Sequence, residues 1–253
     1  MRNRVSAVAG TILIALGARS LEARPDGRED LKRAILALGQ SENYSWSVVS
    51  KTEDLNDPEI EFRMGAIRGA TRKDGLTYLK TELIHEEKEV LLEGAYKAKL
   101  RTLRTTHFDW LPVLHDGMFS QKGYGGTFKF YFRSLIAHIV ANSKRPTEEA
   151  EELLVEIREL KDEGEGIYSG DLSGKALEQM GWRGPGGSTE VDRKGSARFW
   201  VKEGLLEKYE YTLRGKRDYR RVVVDRTTTI EITKVGATEV ELPPKAKDLL
   251  STP

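Results

Sequence analysis

Cysteine is missing from all 253 residues. Disulfides and thiolate chemistry are excluded with it, and so is a lipid anchored on an N-terminal cysteine. Histidine is scarce, with four in the chain, so a structural zinc site lacks its usual ligands and no metal or cofactor is expected. Net charge is nearly absent too. Against 41 Lys and Arg stand 40 Asp and Glu, a formal +1, which gives no support to nucleic acid as a partner; that would call for a basic domain or stripe. The local cluster Arg214, Lys216, Arg217, Arg220 and Arg221 reads instead as a solvated hairpin tip. What remains is 38% hydrophobic and 32% charged, enough for one large β-rich domain with a sizeable core or for two small ones.

The N-terminus has the layout of a secretory signal peptide. Arg2 and Arg4 make a basic start, and Val5 to Leu16 is an apolar stretch too short for a comfortable membrane span. Ala18-Arg19-Ser20 or Leu21-Glu22-Ala23 supplies a cleavage site. An uncleaved anchor or an ordinary buried helix is the other reading. Removal of residues 1 to about 23 leaves a single exported domain over 24–253, periplasmic or secreted, monomeric, and without a lipid tether.

Along the rest of the chain, strands dominate. Asp26 caps a predicted helix from Arg28 to Leu38, whose Leu31, Ala34, Ile35 and Leu38 form one apolar stripe, and Gly39 stops it. Tyr44 to Ser50 alternates, with Tyr44, Trp46 and Val48 on one face. Phe62 to Thr71 is a second strand, joined through Lys73-Asp74-Gly75 to Leu76 to Ile84. Glu89 to Glu93 follows, with a break at Gly94, and then Tyr96 to Leu103. Thr106 to Gly126 is a long apolar loop that must bury or cover something. Two helices come next, Phe130 to Asn142 and a second capped by Thr147, with stripes through Leu135 and Ile139 and through Ala150, Leu153, Leu154, Ile157 and Leu160. After a brief strand at Tyr168, a short helix capped by Ser173 and a loop at 181–188, Arg193 to Pro253 reads as a meander of about five strands. Its links are Lys202-Glu203-Gly204, Arg214-Gly215-Lys216, Asp225-Arg226 and Val235-Gly236-Ala237, with Val240 and Leu242 in the last strand and helical turns over Lys245 to Leu250. Links this short pair strands antiparallel.

No constellation signals catalysis. His107 near Asp109 and His115 beside Asp116 have neither helical spacing nor a third ligand, and His85 and His138 stand alone. Neither G-x-S-x-G nor S-x-x-K occurs; Gly166-Ile167-Tyr168-Ser169-Gly170 has its glycines at the wrong distance. Gly123-Tyr124-Gly125-Gly126 lacks the Lys-Ser/Thr of a P-loop and reads as a hinge. The acidic run Glu148 to Glu152 reads as a solvated helix face. A hydrolase would need polar side chains converging in a cleft, so the chain is read as a non-enzyme.

An apolar binding surface is the remaining candidate. A curved sheet covered by amphipathic helices can hold an acyl chain, since each buried CH₂ is worth about 0.8 kcal/mol. Equally, helices and sheet can close on each other as a dry core.

The exported N-terminus, the first helix, the YSWSVVS strand, ARFWVKEGLLEKYEYTL and TTTIEITKVGATEVELPPKAKDLL together resemble the LolA-like periplasmic lipoprotein carriers and their relatives, including the LppX/LprG lipid-binding lipoproteins. That resemblance implies an α+β fold: a single curved antiparallel sheet, an unclosed half-barrel of about eleven strands, with helices covering its concave face. It also implies a carrier of lipid or lipoprotein acyl chains, with transient membrane contact and an envelope protein partner, or a sensory or protein-interaction module on the same scaffold. The apolar cavity it implies is lined by Trp46, Val48, Leu79, Leu135, Ile139, Tyr209, Tyr211, Ile230 and Ile232. The lipobox cysteine of the mycobacterial members is absent, and no residue aligns with a lid-holding arginine.

Overall fold

The computed structural model describes residues 27–52, 62–85, 88–106, 108–113, 139–175, 177, 190–217 and 222–251. Helical periodicity sets the first element. In α1 (Gly27–Gln40) the buried residues are Leu31, Ala34, Ile35 and Leu38, the predicted stripe, with Glu29 and Asp30 in the first turn. That placement suits the positive end of the helix dipole. The helix runs through Gly39 rather than stopping there, and Asp26 lies outside the described residues.

Seven strands follow: β1 (Asn43–Thr52), β2 (Phe62–Met64), β3 (Ile67–Arg72), β4 (Thr77–His85), β5 (Lys88–Lys97), β6 (Leu100–Thr105) and β7 (Phe108–Pro112). Residues 139–142 are helical. Then come α2 (Pro146–Glu156), β8 (Lys161–Gly164), β9 (Ile167–Asp171), β10 (Glu190–Lys202), β11 (Leu205–Arg217), β12 (Val222–Thr233) and α3 (Pro244–Ser251). All strands lie in one antiparallel sheet, ordered β7-β6-β5-β4-β3-β1-β12-β11-β10-β9-β8, with β2 beside β4. Eleven strands make a continuous path whose ends, β7 and β8, do not pair. The wall is open, as expected. Its centre is a non-local join, in which β1 pairs with β12, Trp46 opposite Ile232 and Val48 opposite Ile230.

Side-chain alternation gives the sheet two distinct faces. α1 and α2 cover the inner, concave face through a cluster that joins Leu31, Ile35, Leu153 and Leu154 to Trp46, Phe199, Tyr209 and Ile230. α3 lies on the opposite face, where Ala246 and Leu250 meet Leu76, Ala95 and Trp110.

Several boundaries differ from the sequence reading, each for a local reason. Phe62 to Thr71 is two strands, β2 and β3, parted at Gly65-Ala66. β5 passes straight through Gly94, and the chain turns instead at Ala98, which adopts φ 51°. Part of the supposed long loop is β7; 114–138, with Leu135, lies outside the described residues. α2 starts from Arg145 rather than Thr147, because Pro146 is preset for a first turn and the Glu148 carboxylate accepts the Arg145 N–H (3.1 Å). β11 and β12 run unbroken through Arg214-Gly215-Lys216 and Asp225-Arg226, so three long strands replace the expected five. Val240 and Leu242 are not in a strand; both pack on the outer cluster beside α3.

Candidate functional site

The inner face is apolar along its width, but what covers it differs between the two halves. Over β1 and β9–β12 the space under α1 and α2 is filled: Leu31, Ile35, Leu38, Phe199 and Tyr209 are each 0% exposed. Phe199 and Tyr209 stack with ring centroids 6.1 Å apart. Over β4–β6 a second cluster joins Leu83, Val90, Leu92, Leu103 and Val113 to Val140, with Ile139 and Ala141 packed against it.

Seven of the nine residues expected to line a cavity belong to or touch the first cluster. Trp46, Leu79, Tyr209, Tyr211, Ile230 and Ile232 are buried there, and Val48 is half-buried against it. Ile139 sits in the second cluster, and Leu135 is outside the described residues. Parity placed the strand residues on the correct face. It did not reveal that α1 and α2 rest directly upon them.

One contact fixes the indole of Trp46. Gly69 is its cross-strand partner, and a Cβ at Gly69 would stand 2.2 Å from the ring. The missing side chain is the seat of the indole, whose Nε1–H donates to Thr71 Oγ1 at 3.0 Å.

Two arginines tie helices down. Arg28 on α1 donates to the carbonyls of Leu154 (2.6 Å) and Ile157 (2.7 Å), unsatisfied acceptors at the end of α2. From β6, Arg101 donates to the carbonyls of Val140 (2.9 Å) and Ser143 (3.0 Å) and lies 4.6 Å over the Tyr96 ring. Sequence reasoning found no such residue. Its signal was parity, since Arg101 shares the inner face with Leu103.

An acid also enters the interior. Glu149, in the first turn of α2, accepts hydrogen bonds from Tyr209 Oη (2.7 Å) and Tyr211 Oη (3.3 Å). Burial pushes its carboxyl above the ordinary carboxylate range, with the two tyrosine hydroxyls and Lys144 opposing and Glu152 adding to the rise. Burial and the nearby carboxylate likewise push the Tyr209 and Tyr211 hydroxyls up. Glu148 behaves oppositely; burial pushes its carboxyl up, but Arg145 outweighs that and holds it low. The acidic run is therefore a solvated face only in part.

On the outer face, a polar groove of about 600 Å³ runs over β8–β11, lined by Lys161, Glu163, Asp171, Arg198, Glu210 and Thr212 among others. Glu163 is already taken by Arg198 and by Ser169 Oγ (2.6 Å). Among the described residues no group of three or more His, Asp or Glu converges to hold a metal, and no helix is long and apolar enough to cross a membrane.

No family model and no curated protein matches the sequence. Among solved structures, the crystal structure of LprF from Mycobacterium bovis is similar, with 11% identity over 87% of this chain and 97% of that chain and a TM-score of 0.43. The architecture described above rests on the strand pairing itself.

Proposed function

We propose that the protein is a non-enzymatic binder of acyl chains, from lipid or acylated protein, on the concave face of its open sheet. The observation that carries this reading is the apolar wall of Leu83, Val90, Leu92, Leu103 and Val113, the part of the inner face that α1 and α2 leave to other cover. Ten methylenes laid on such a wall would supply about 8 kcal/mol at about 0.8 kcal/mol each, near micromolar affinity before ordering costs. Leu79 and Ile139 border that wall. Trp46, Val48, Tyr209, Tyr211, Ile230 and Ile232 would meet a chain only when α1 and α2 move aside. An exported protein handing such a ligand between membranes suits the predicted signal segment.

A second reading is supported by the filled space under α1 and α2: a sensory or protein-interaction module on the same scaffold. The two part in one experiment. Native mass spectrometry of the full chain purified from cell extract, followed by titration with a dansyl-labelled fatty acid, should show co-purifying lipid and saturable uptake under the first reading. A ligand-free mass with no dansyl enhancement sinks the acyl-chain reading and leaves the second.

A further inference from the structure

We propose that Glu149 makes the seating of α2 proton-dependent: the helix is held on the sheet while the carboxyl is protonated and loosens when the proton leaves. The geometry is a carboxyl carried by the first turn of α2 and driven between two tyrosines of β11. Tyr209 and Tyr211 are 0% and 9% exposed, and their hydroxyls meet the two carboxyl oxygens at 2.7 and 3.3 Å. A protonated carboxyl closes this set, accepting from one tyrosine and donating to the other. Glu149 is half-buried, and in the ionised form the tyrosine hydroxyls replace only part of the water it gives up on seating, since neutral donors do not offset the desolvation of a charge.

The cations before α2 compensate only in part: Lys144 opposes the rise without cancelling it. From the segment before α2, Lys144 pairs with Glu152 and Arg145 with Glu148 (2.5 Å). Glu152, on the next turn, adds repulsion. α1 presents Leu31, Ile35 and Leu38 to this layer. β1 contributes Tyr44, whose own hydroxyl is pushed up by burial, and Arg226 of β12, opposite Leu213, draws the Tyr211 hydroxyl down. Lifting α2 returns Glu149 to water, where it regains the ordinary value of a free glutamate. Because the seated carboxyl holds its proton more tightly, seating is strongest below that value and weakens as pH rises toward the seated pKa. Between the two, opening should grow by about tenfold per pH unit, then level off.

The test is hydrogen exchange by mass spectrometry on α2 in the ligand-free full chain, from about pH 4.5 to about pH 8, corrected for the intrinsic exchange rate. Wild type should lose protection across that range by at least about tenfold, Glu149→Gln should be flat, and Glu152→Gln should keep a slope. If Glu149→Gln fails to fold, Tyr209→Phe replaces it; removing a donor that favours the ionised form should extend the slope to higher pH. A pH-independent α2 in wild type, or an unchanged slope in Glu149→Gln, overturns the proposal. No ligand enters the experiment, so its failure says nothing about acyl-chain binding.

Discussion

Val140 sits in the notch left by Gly94. A Cβ at Gly94 would lie 2.9 Å from Val140 Cγ2 and 3.2 Å from Cγ1, and Gly94 faces inward from the middle of β5, opposite Leu79 on β4. Glycine in a strand interior weakens the strand, so its presence here marks a close approach. The helical turn at 139–142 reaches the sheet because there is no side chain beneath it.

Gly94→Ala should therefore lift that turn. Overpacking of this kind costs about 1–3 kcal/mol, to be read from urea denaturation. Pairing it with Val140→Ala should recover part of the loss, since the two residues are in contact and their effects should not add. An additive double variant would show that the clash is relieved elsewhere.

Arg101 holds the same turn from its C-terminal side. Arg101→Ala removes two hydrogen bonds from a charged donor, expected to cost about 1.5–3 kcal/mol. Exchange at 139–145 should speed up more than exchange in β11, which is not adjacent to β6 in the sheet. Arg101→Lys keeps the charge but not the fork, and should recover only part of the protection.

Much of this arrangement is legible in the sequence. The stripe of α1, the alternation of Tyr44, Trp46 and Val48, the Asp74-Gly75 turn and the terminal helix all follow from local spacing. The errors have physical sources. Gly94 reads as a break because glycine marks both turns and close approaches, and spacing does not distinguish them. Arg214-Gly215-Lys216 resembles a link because a charged residue beside glycine occurs both in turns and in the body of a long strand. Val240 and Leu242 have strand periodicity yet serve as a flap over the outer cluster. The join of β1 to β12 brings together residues almost 190 positions apart, as Trp46 with Ile232, beyond the reach of local pattern. Glu149 was readable in part: it lies one turn before Leu153 on the buried side of α2, where a carboxylate needs a partner, and Tyr209 and Tyr211 alternate on an inward face.

The outer face carries an acid-sensitive link. Glu93 of β5 lies directly across from Arg104 of β6, pairs with it, and accepts from the Tyr78 hydroxyl. Burial pushes the Glu93 carboxyl up, but Arg104 and Tyr78 outweigh it and leave it below the ordinary range. A group held low stabilises the fold above its unfolded pKa and loses that contribution as pH falls through the folded one. Glu93→Gln should therefore destabilise the protein at neutral pH by about 1–3 kcal/mol and flatten the acid limb of stability against pH below about 4.5. This is the opposite sense to Glu149, so the two variants should tilt the pH profile in opposite directions. Equal acid limbs in wild type and Glu93→Gln would show that Arg104 gains nothing from the carboxylate.

The C-terminal helix is the last test, because it decides whether the outer face of β5–β7 is structural or free. α3 buries Ala246 and Leu250 against Trp110 and Ala95, and Lys245 reaches Asp109 Oδ2 at 2.5 Å. That ion pair is exposed on both sides, so its loss should cost little. The apolar contact should matter far more. Trp110 is 2% exposed, and Trp110→Ala should cost about 3–5 kcal/mol. Its indole N–H is buried without a hydrogen-bond partner among the described residues, so Trp110→Phe gives up area but no hydrogen bond and should cost well under half of that. Leu250→Asp puts an unpaired charge into the same layer and should release α3 while leaving the inner face intact. Chemical denaturation ranks the three variants, and exchange in α3 against α1 shows whether release is local. If Leu250→Asp also unseats α1, the two faces of the sheet are coupled through β5, and α3 is part of the core rather than a cover.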